Sequence, residues 1–171
     1  NFHLHGWMWS HQTARRLAYL IDNKLKSWQP KTKEDVKSIQ KVIQYYGKFI
    51  HNHHHHEDEQ AWPFLMECEP EVKIHLDLAE TQHKQYDDLW DQISIDLKAL
   101  DNFDAANPES TTESIKQLST KFKELKDNVD NHFVDEERTL LPYVVKIPKD
   151  KQLKLAKIIE VCMILVPKLT L

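Results

Sequence analysis

Apolar residues recur every three or four positions along four stretches of this chain, at residues 7–28, 36–64, 72–100 and 115–143. Each stretch is long enough for a helix of several turns. This spacing is typical of helices that bury one face against their neighbours in a bundle. The pattern therefore predicts an all-α protein whose core lies between four helices.

Proline and polar segments separate the four stretches. The breaks fall at Gln29 and Pro30, at Pro70, at residues 102–110 and at residues 146–150. Thr32 is placed to cap the second helix, with Asp35 in its first turn. A short fifth helix is predicted from Lys151 to about residue 166. Because the connections are short, the sequence predicts a single domain over residues 1–171, an antiparallel up-down-up-down four-helix bundle with a short C-terminal helix.

Six ionisable residues interrupt the apolar stripes: His11, His53, Glu57, His83, His132 and Glu136. Buried charge without a partner is costly, so the six need a common explanation. Counted from the predicted helix ends at ~1.5 Å per residue, three of the histidines lie about 20 Å from the same end of an antiparallel bundle. One buried histidine is usually a hydrogen-bonded core residue. Six such groups on four helices at one level predict a metal site.

The second and fourth stretches repeat one motif, His-x3-Glu-x5-Pro-aromatic. It reads HHHHEDEQAWPF at residues 53–64 and HFVDEERTLLPY at residues 132–143. A His and a Glu four residues apart share one helix face. His11 and His83 are also followed by Leu and Ile at matching offsets. The chain thus has the pattern of two helical hairpins that supply similar ligands, which suits a two-metal centre.

Neighbouring polar and aromatic residues have plainer interpretations. Of the run HNHHHH at residues 51–56, only one or two histidines can face the core. The others, His51, His55 and His56, are predicted in solvent, with incidental affinity for divalent metals. A charged outer face is predicted for Asp58, Glu59 and Glu137, with Glu137 as a reserve ligand. The aromatic residues predicted mainly in the core are Trp7, Trp28, Trp62, Trp90, Tyr46 and Tyr86. Of these, Tyr86 is also a candidate neighbour of the site.

The composition of the chain disfavours several classes of partner and cellular setting. Lys and Arg number 23 against 27 Asp and Glu, a formal charge of −4, which disfavours a nucleic-acid partner. The two cysteines form no pairing motif, so we expect a reducing, cytoplasmic setting. No apolar run approaches the ~20 residues that span a bilayer, so no membrane partner is expected.

The types of the predicted ligands limit which metals the site can bind. Imidazole and carboxylate without thiolate disfavour a cysteine zinc site or an iron–sulfur cluster. They suit iron, manganese or zinc, and two shared carboxylates are natural bridges in a di-iron centre.

With these motifs in this order, the chain resembles the hemerythrin-like (HHE cation-binding) family. The matching segments are His11 with Arg15 and Arg16, residues 53–64, QHKQYDDL at 82–89 and residues 132–143. The resemblance implies a four-helix bundle with two Fe ions joined by an oxo or hydroxo bridge. It implies that His11, His53, Glu57, His83, His132 and Glu136 are iron ligands and that Glu57 and Glu136 bridge. It also implies binding of O2 or a related small ligand at an open iron position.

One position departs from the family pattern. Oxygen carriers of this kind have a His-x3-His pair on the third helix, whereas Ala79 stands four residues before His83. Either one iron keeps an open or water-filled position, or His54 completes its shell. We therefore expect an oxygen or redox sensor or an iron-handling module rather than a reversible carrier. The alternatives are an iron-responsive protein-interaction domain and a di-iron oxidase or peroxidase-like enzyme. No separate catalytic motif is visible.

Overall fold

The computed structural model describes the backbone of residues 3–164 and the side chains of residues 3–159. The helices are α1 (His5–Lys26), α2 (Lys33–His56), α3 (Trp62–Cys68), α4 (Lys73–Ala99), α5 (Thr112–Val144) and α6 (Lys149–Ile164). Short 3-10 turns occupy Pro70–Val72, Leu100–Asn102 and Pro108–Thr111. The described residues contain no strand, and the prediction of an all-helical protein is confirmed. The predicted end of the fifth helix near residue 166 lies outside the described residues.

A π-helical segment, Glu57–Ala61, joins α2 to α3 without a break. The backbone N–H of Trp62 donates to the Glu57 carbonyl, five residues earlier rather than four. Pro63 follows at once, and it has no N–H with which to continue the normal bonding pattern. The helix nevertheless continues to Cys68, so Pro63 accompanies a change of helix type rather than an end.

Side-chain contacts show that α2 and α4 run in opposite directions. The Gln40 amide donates to the Leu97 carbonyl at 2.8 Å, and the Tyr86 hydroxyl donates to the Gly47 carbonyl at 3.2 Å. Residue numbers thus rise along α2 as they fall along α4. Pairs between α4 and α5 follow the same order, Asp96 with Lys121 and Gln82 with Asp135. Both pairs of helices are therefore antiparallel.

Two apolar clusters form the core, one on each side of the level where the predicted metal ligands lie. The larger cluster includes Ala14 to Leu25 of α1 and Trp28 just after it, together with Ile50 of α2 and Val129 of α5. The smaller cluster contains Trp7, Leu65 and Leu140, together with Leu155 and Ile159 of α6. Burial of these side chains stabilises the bundle above and below a polar layer.

No helix among the described residues is both long enough and apolar enough to cross a bilayer.

The predicted cap of α2 is present. The Thr32 hydroxyl accepts from the backbone N–H of Asp35 at 3.1 Å, and the Asp35 carboxylate accepts from the backbone N–H of Thr32 at 3.0 Å. This reciprocal capping box satisfies two N–H groups that the helix leaves unpaired. It fixes where α2 begins, and α2 carries two of the buried site residues described below.

Replacing Thr32 by Ala should lower the free energy of unfolding by about 1 kcal/mol, because the first turn of α2 loses its cap. Urea denaturation followed by helical circular dichroism measures the change. Ser38→Ala, at an exposed position of the same helix, is the matched control and should stay within about 0.5 kcal/mol of the original protein. Equal effects of the two substitutions would show that the cap adds no stability.

Candidate metal centre

The six predicted site residues come together between the two apolar clusters. Two groups of possible ligands can be drawn, each with its ligand atoms within 4.8 Å of one another. The first comprises His11, His53, Glu57 and Glu136, and the second comprises Glu57, His83, His132 and Glu136. All six side chains are buried. Because both carboxylates belong to both groups, the arrangement offers two adjacent cation positions.

Each carboxylate faces one imidazole from each group. Glu57 Oε1 lies 3.2 Å from His53 Nε2, and Glu57 Oε2 lies 3.8 Å from His83 Nε2. Glu136 uses one oxygen for both contacts, since its Oε2 lies 3.5 and 3.4 Å from the Nε2 atoms of one imidazole of each group. Both carboxylates therefore lie between the two groups of imidazoles.

Hydrogen bonds on the outer nitrogen decide which nitrogen of His83 and His132 faces inward. His83 Nδ1 donates to the Asp58 carboxylate at 2.9 Å. The Asp135 carboxylate accepts from the Gln82 amide nitrogen at 3.0 Å, which turns the Gln82 carbonyl oxygen toward His132 Nδ1, also at 3.0 Å. In the neutral rings, both Nε2 atoms then carry lone pairs. These two atoms lie 3.1 Å apart, so only a proton or a cation satisfies both.

His11 is fixed in the same manner from the other side. Its Nδ1 donates to Glu137 Oε1 at 2.9 Å, and Arg15 donates to the same oxygen at 2.8 Å. Phe133 stacks on the His11 ring with 4.0 Å between centroids. The His11 Nε2 atom therefore points into the site with its lone pair free.

Asp58 and Glu137 hold corresponding places in the two halves of the chain. Each directly follows the Glu of its His-x3-Glu motif, and each accepts a hydrogen bond from the histidine of the opposite hairpin. Both carboxylates are predicted from the sequence on an outer charged face, with Glu137 as a reserve ligand, and their contacts with the histidines are not predicted. The signal was present, since an acidic residue occupies the same place in both repeats. Carboxylates so placed orient metal-binding imidazoles and raise their basicity.

His54 is a seventh member of the cluster. It is 5% exposed, and its ligand atom lies within 4.8 Å of those of His83 and His132. Its ring stacks on His83 at 3.9 Å and meets the edge of Tyr86 at 5.1 Å. Neither of its nitrogens has a hydrogen-bond partner among the described residues. Consecutive residues of a helix point about 100° apart, so His53 and His54 face different cation positions.

The buried charges of the metal-free site are unbalanced. Burial raises the pKa of Glu136 well above its usual value, and the charge of Glu57 adds to the effect. Burial opposes ionisation of Glu57 too, but His53 and its neighbours prevail and lower that pKa to about 2. Burial also lowers the pKa of His53 to about 4 and that of His132 well below its usual range. Neutral imidazoles beside carboxylates are the state that binds a divalent cation.

Unpartnered buried atoms mark the same place. Within the described part of the chain they include His11 Nε2, His53 Nε2, both nitrogens of His54, Glu57 Oε2 and both oxygens of Glu136. Buried polar atoms normally have partners, so this concentration marks the place where the protein could hold cations. Trp7, predicted only as a core residue, also belongs here, because its indole N–H donates to Glu57 Oε1 at 2.8 Å. The donor set fits iron, manganese or zinc.

A cavity of about 640 Å³ lies elsewhere, around Trp28 and Pro108 near the start of α5, and none of the site residues lines it. The candidate ligands lie in the polar layer rather than in this cavity.

A helical protein that buries imidazoles and carboxylates around two shared positions belongs to the class of metal-binding helical proteins. A family model described as the hemerythrin HHE cation binding domain matches residues 4–144, and the chain belongs to this family. The resemblance seen in the sequence motifs is thereby confirmed.

Other comparisons add an uncharacterised relative. The chain is 32% identical over 162 residues to an uncharacterised protein of Dictyostelium discoideum, and the match covers 92% of this chain. The same match covers 63% of that protein, so the chain spans less than two thirds of its relative. No solved structure matches the chain.

Glu136→Gln should affect stability in opposite directions with and without metal. The pKa of Glu136 is raised in the folded state. The contribution of its protonated carboxyl to folding stability is therefore fully present below the unfolded-state pKa and is lost as pH rises through the folded-state pKa. The amide of the Gln variant does not ionise, so the variant does not lose this stability as pH rises. At pH 8 the free energy of unfolding of the metal-free variant should therefore be about 1 kcal/mol higher than that of the original protein. This gain should shrink toward pH 4. Added divalent metal should stabilise the variant much less than the original protein.

Thermal unfolding with chelator and with ferrous iron, at both pH values, measures these effects. Glu124→Gln, at an exposed position of α5, should leave both curves unchanged. A variant less stable than the original protein under every condition would give Glu136 a structural role instead.

Proposed function

We propose that this chain is a non-haem di-iron protein that binds O2 or a related small ligand and acts as an oxygen or redox sensor or an iron-handling module. The proposed scaffold is an up-down-up-down four-helix bundle with a further C-terminal helix. One observation carries the proposal: inward-facing imidazole nitrogens surround two carboxylates that are shared between two adjacent positions. Family membership supports cation binding in general.

The proposed ligands divide between the two positions. His11 and His53 serve the first ion, His54 and two further imidazoles serve the second, and both carboxylates bridge. The second group then contains His54 in the role that a second α4 histidine would fill, since Ala79 offers no ligand atom. Bound iron would supply the open position and the electrons that O2 chemistry needs. The apolar clusters on either side of the site limit the access of water to it.

A small crevice offers a route to this centre. It has a volume of about 200 Å³ and reaches His54 and His132. Its walls are the uncharged side chains Gln82, Gln85, Asn128, Val129 and Asn131. Such a passage suits a small neutral molecule such as O2 and supports the proposal that the centre takes a small ligand from solvent.

His54→Ala should reduce bound iron from about two ions per chain to about one, because the second position would lose one of its three imidazoles. His75→Ala is the matched control, since it removes a histidine of α4 that packs on Tyr143 and lies outside the ligand groups. Metal analysis after anaerobic loading and gel filtration gives both values. If both variants kept two ions, His54 would not be a ligand.

The proposed function predicts a spectral response to oxygen. Anaerobic loading should give about two irons per chain, and exposure to air should produce new near-ultraviolet and visible bands, because bound ferrous iron is oxidised or takes up ligand. Bands that reverse when O2 is removed favour a sensor, and irreversible change favours redox chemistry. Zinc alone, with an unchanged spectrum under all conditions, would exclude the oxygen function and leave a metal-binding bundle.

The unpartnered buried atoms favour a second candidate, an iron-responsive interaction domain. A bundle with this polar layer is costly to fold without cations, so metal occupancy would control folding and the exposure of a partner surface. The comparison of metal-free and metal-loaded unfolding described above also decides this candidate. Equal unfolding temperatures would exclude it.

A further inference from the structure

The exposed part of the histidine run has its own geometry. His51 and His55 lie four residues apart on α2, and their rings are parallel within 8°, with centroids 6.4 Å apart. The His51 side chain is 63% exposed. His56, by contrast, has its Nδ1 within 2.8 Å of the Asn52 carbonyl. Two imidazoles spaced i, i+4 on an exposed helix face can turn toward one cation at little rotamer cost.

A carboxylate of the neighbouring helix lies beside the first histidine of this pair. Asp87 of α4 places Oδ1 3.6 Å from His51 Nδ1. Two imidazoles and one carboxylate are a common ligand set for divalent transition metals. This set lies outside the buried centre, because none of its three residues belongs to the buried ligand groups.

A groove connects Asp87 with the buried centre. Its volume is about 530 Å³, and both Asp87 and His83 line it. Four further carboxylates lie along it, those of Asp58, Glu59, Asp77 and Glu80. Its two lysines, Lys73 and Lys84, pair with Asp77 and Glu80. The groove is therefore negative overall, unlike the uncharged crevice on the α4–α5 side, and it favours cations over anions.

We propose that His51, His55 and Asp87 form a divalent-cation capture site at the mouth of this groove, from which metal passes along the carboxylates to the buried centre. Asp58 ends the path, since it already accepts a hydrogen bond from His83. The buried centre holds the cation more tightly because it offers more ligands, so transfer runs inward. The capture site stands on its own geometry, whereas its loading role rests on the proposed function.

Divalent cobalt is the probe, because it absorbs visible light and does not require anaerobic handling. The original protein should bind three ions by equilibrium dialysis, and two of them should survive passage over a chelating resin. His51→Ala/His55→Ala should bind two, and at limiting cobalt its buried centre should fill about tenfold more slowly, as expected when local capture is lost. Asp87→Asn should act in the same direction.

Matched controls separate capture from general effects. His75→Ala removes a histidine that packs on Tyr143, and Asp88→Asn removes an exposed charge next to Asp87, outside the groove. Both controls should bind three ions and fill at the original rate. Circular dichroism verifies the fold of each variant.

Each outcome is decisive. Unchanged stoichiometry and filling rate in the double histidine variant overturn the proposal. Loss of the third ion with an unchanged filling rate overturns the loading role and leaves the capture site. A protein that binds one removable ion but no resin-resistant pair overturns the proposed function, while the capture site stands if the double variant loses that ion.

Discussion

Hydrogen bonds to the outer nitrogens of three histidines determine which ring nitrogens face into the site, and the rest of the site depends on this orientation. A neutral imidazole has one lone pair, and the group bound at Nδ1 decides whether it faces inward. Asp58 binds His83, Glu137 binds His11, and the Gln82 carbonyl oxygen binds His132. All three Nε2 atoms then converge on two buried carboxylates. A cation relieves the repulsion that this convergence creates, so the same contacts that order the rings also generate the need for metal.

Burial of the polar ligand atoms costs free energy on folding, and burial of the two apolar clusters must offset this cost. Unpartnered lone pairs and a buried carboxylate have lost their water without gaining partners, at a cost of about 1–3 kcal/mol per group. The clusters around Ile50 and Leu65 bury large side chains on either side and hold the helices at the level where the ligands meet. The ligand cluster therefore lowers the stability of the metal-free chain. Binding of divalent cations would raise it, because the cations satisfy the lone pairs and balance the charge of the carboxylates.

Periodicity alone locates the six ionisable residues on the apolar faces, because a helix turns by a fixed angle and each position on a 3-4 stripe must be buried. The remaining features depend on neighbours that a stripe does not encode. His54 lies one residue off the stripe of His53 and is buried only because α4 and α5 enclose that side of α2. Asp58 and Glu137 lie off the stripe as well, yet they reach histidines of the opposite hairpin. Periodicity assigns such residues to solvent.

The π-helical segment is one place where the two halves of the site differ despite their repeated motif. Five residues after Glu57, Trp62 is buried, whereas the matching residue in the regular helix α5, Leu141, is only partly buried. The buried Trp62 ring packs edge-on against Trp7 at 5.8 Å, and Trp7 donates its indole N–H to Glu57. Glu136 has no such donor among the described residues, and both of its oxygens are unpartnered. One carboxylate is thus held ionised by its surroundings, while the other requires a proton or a cation. The repeated motif thus forms an asymmetric site, because Ala79 stands at the position that corresponds to Trp7 and offers no donor.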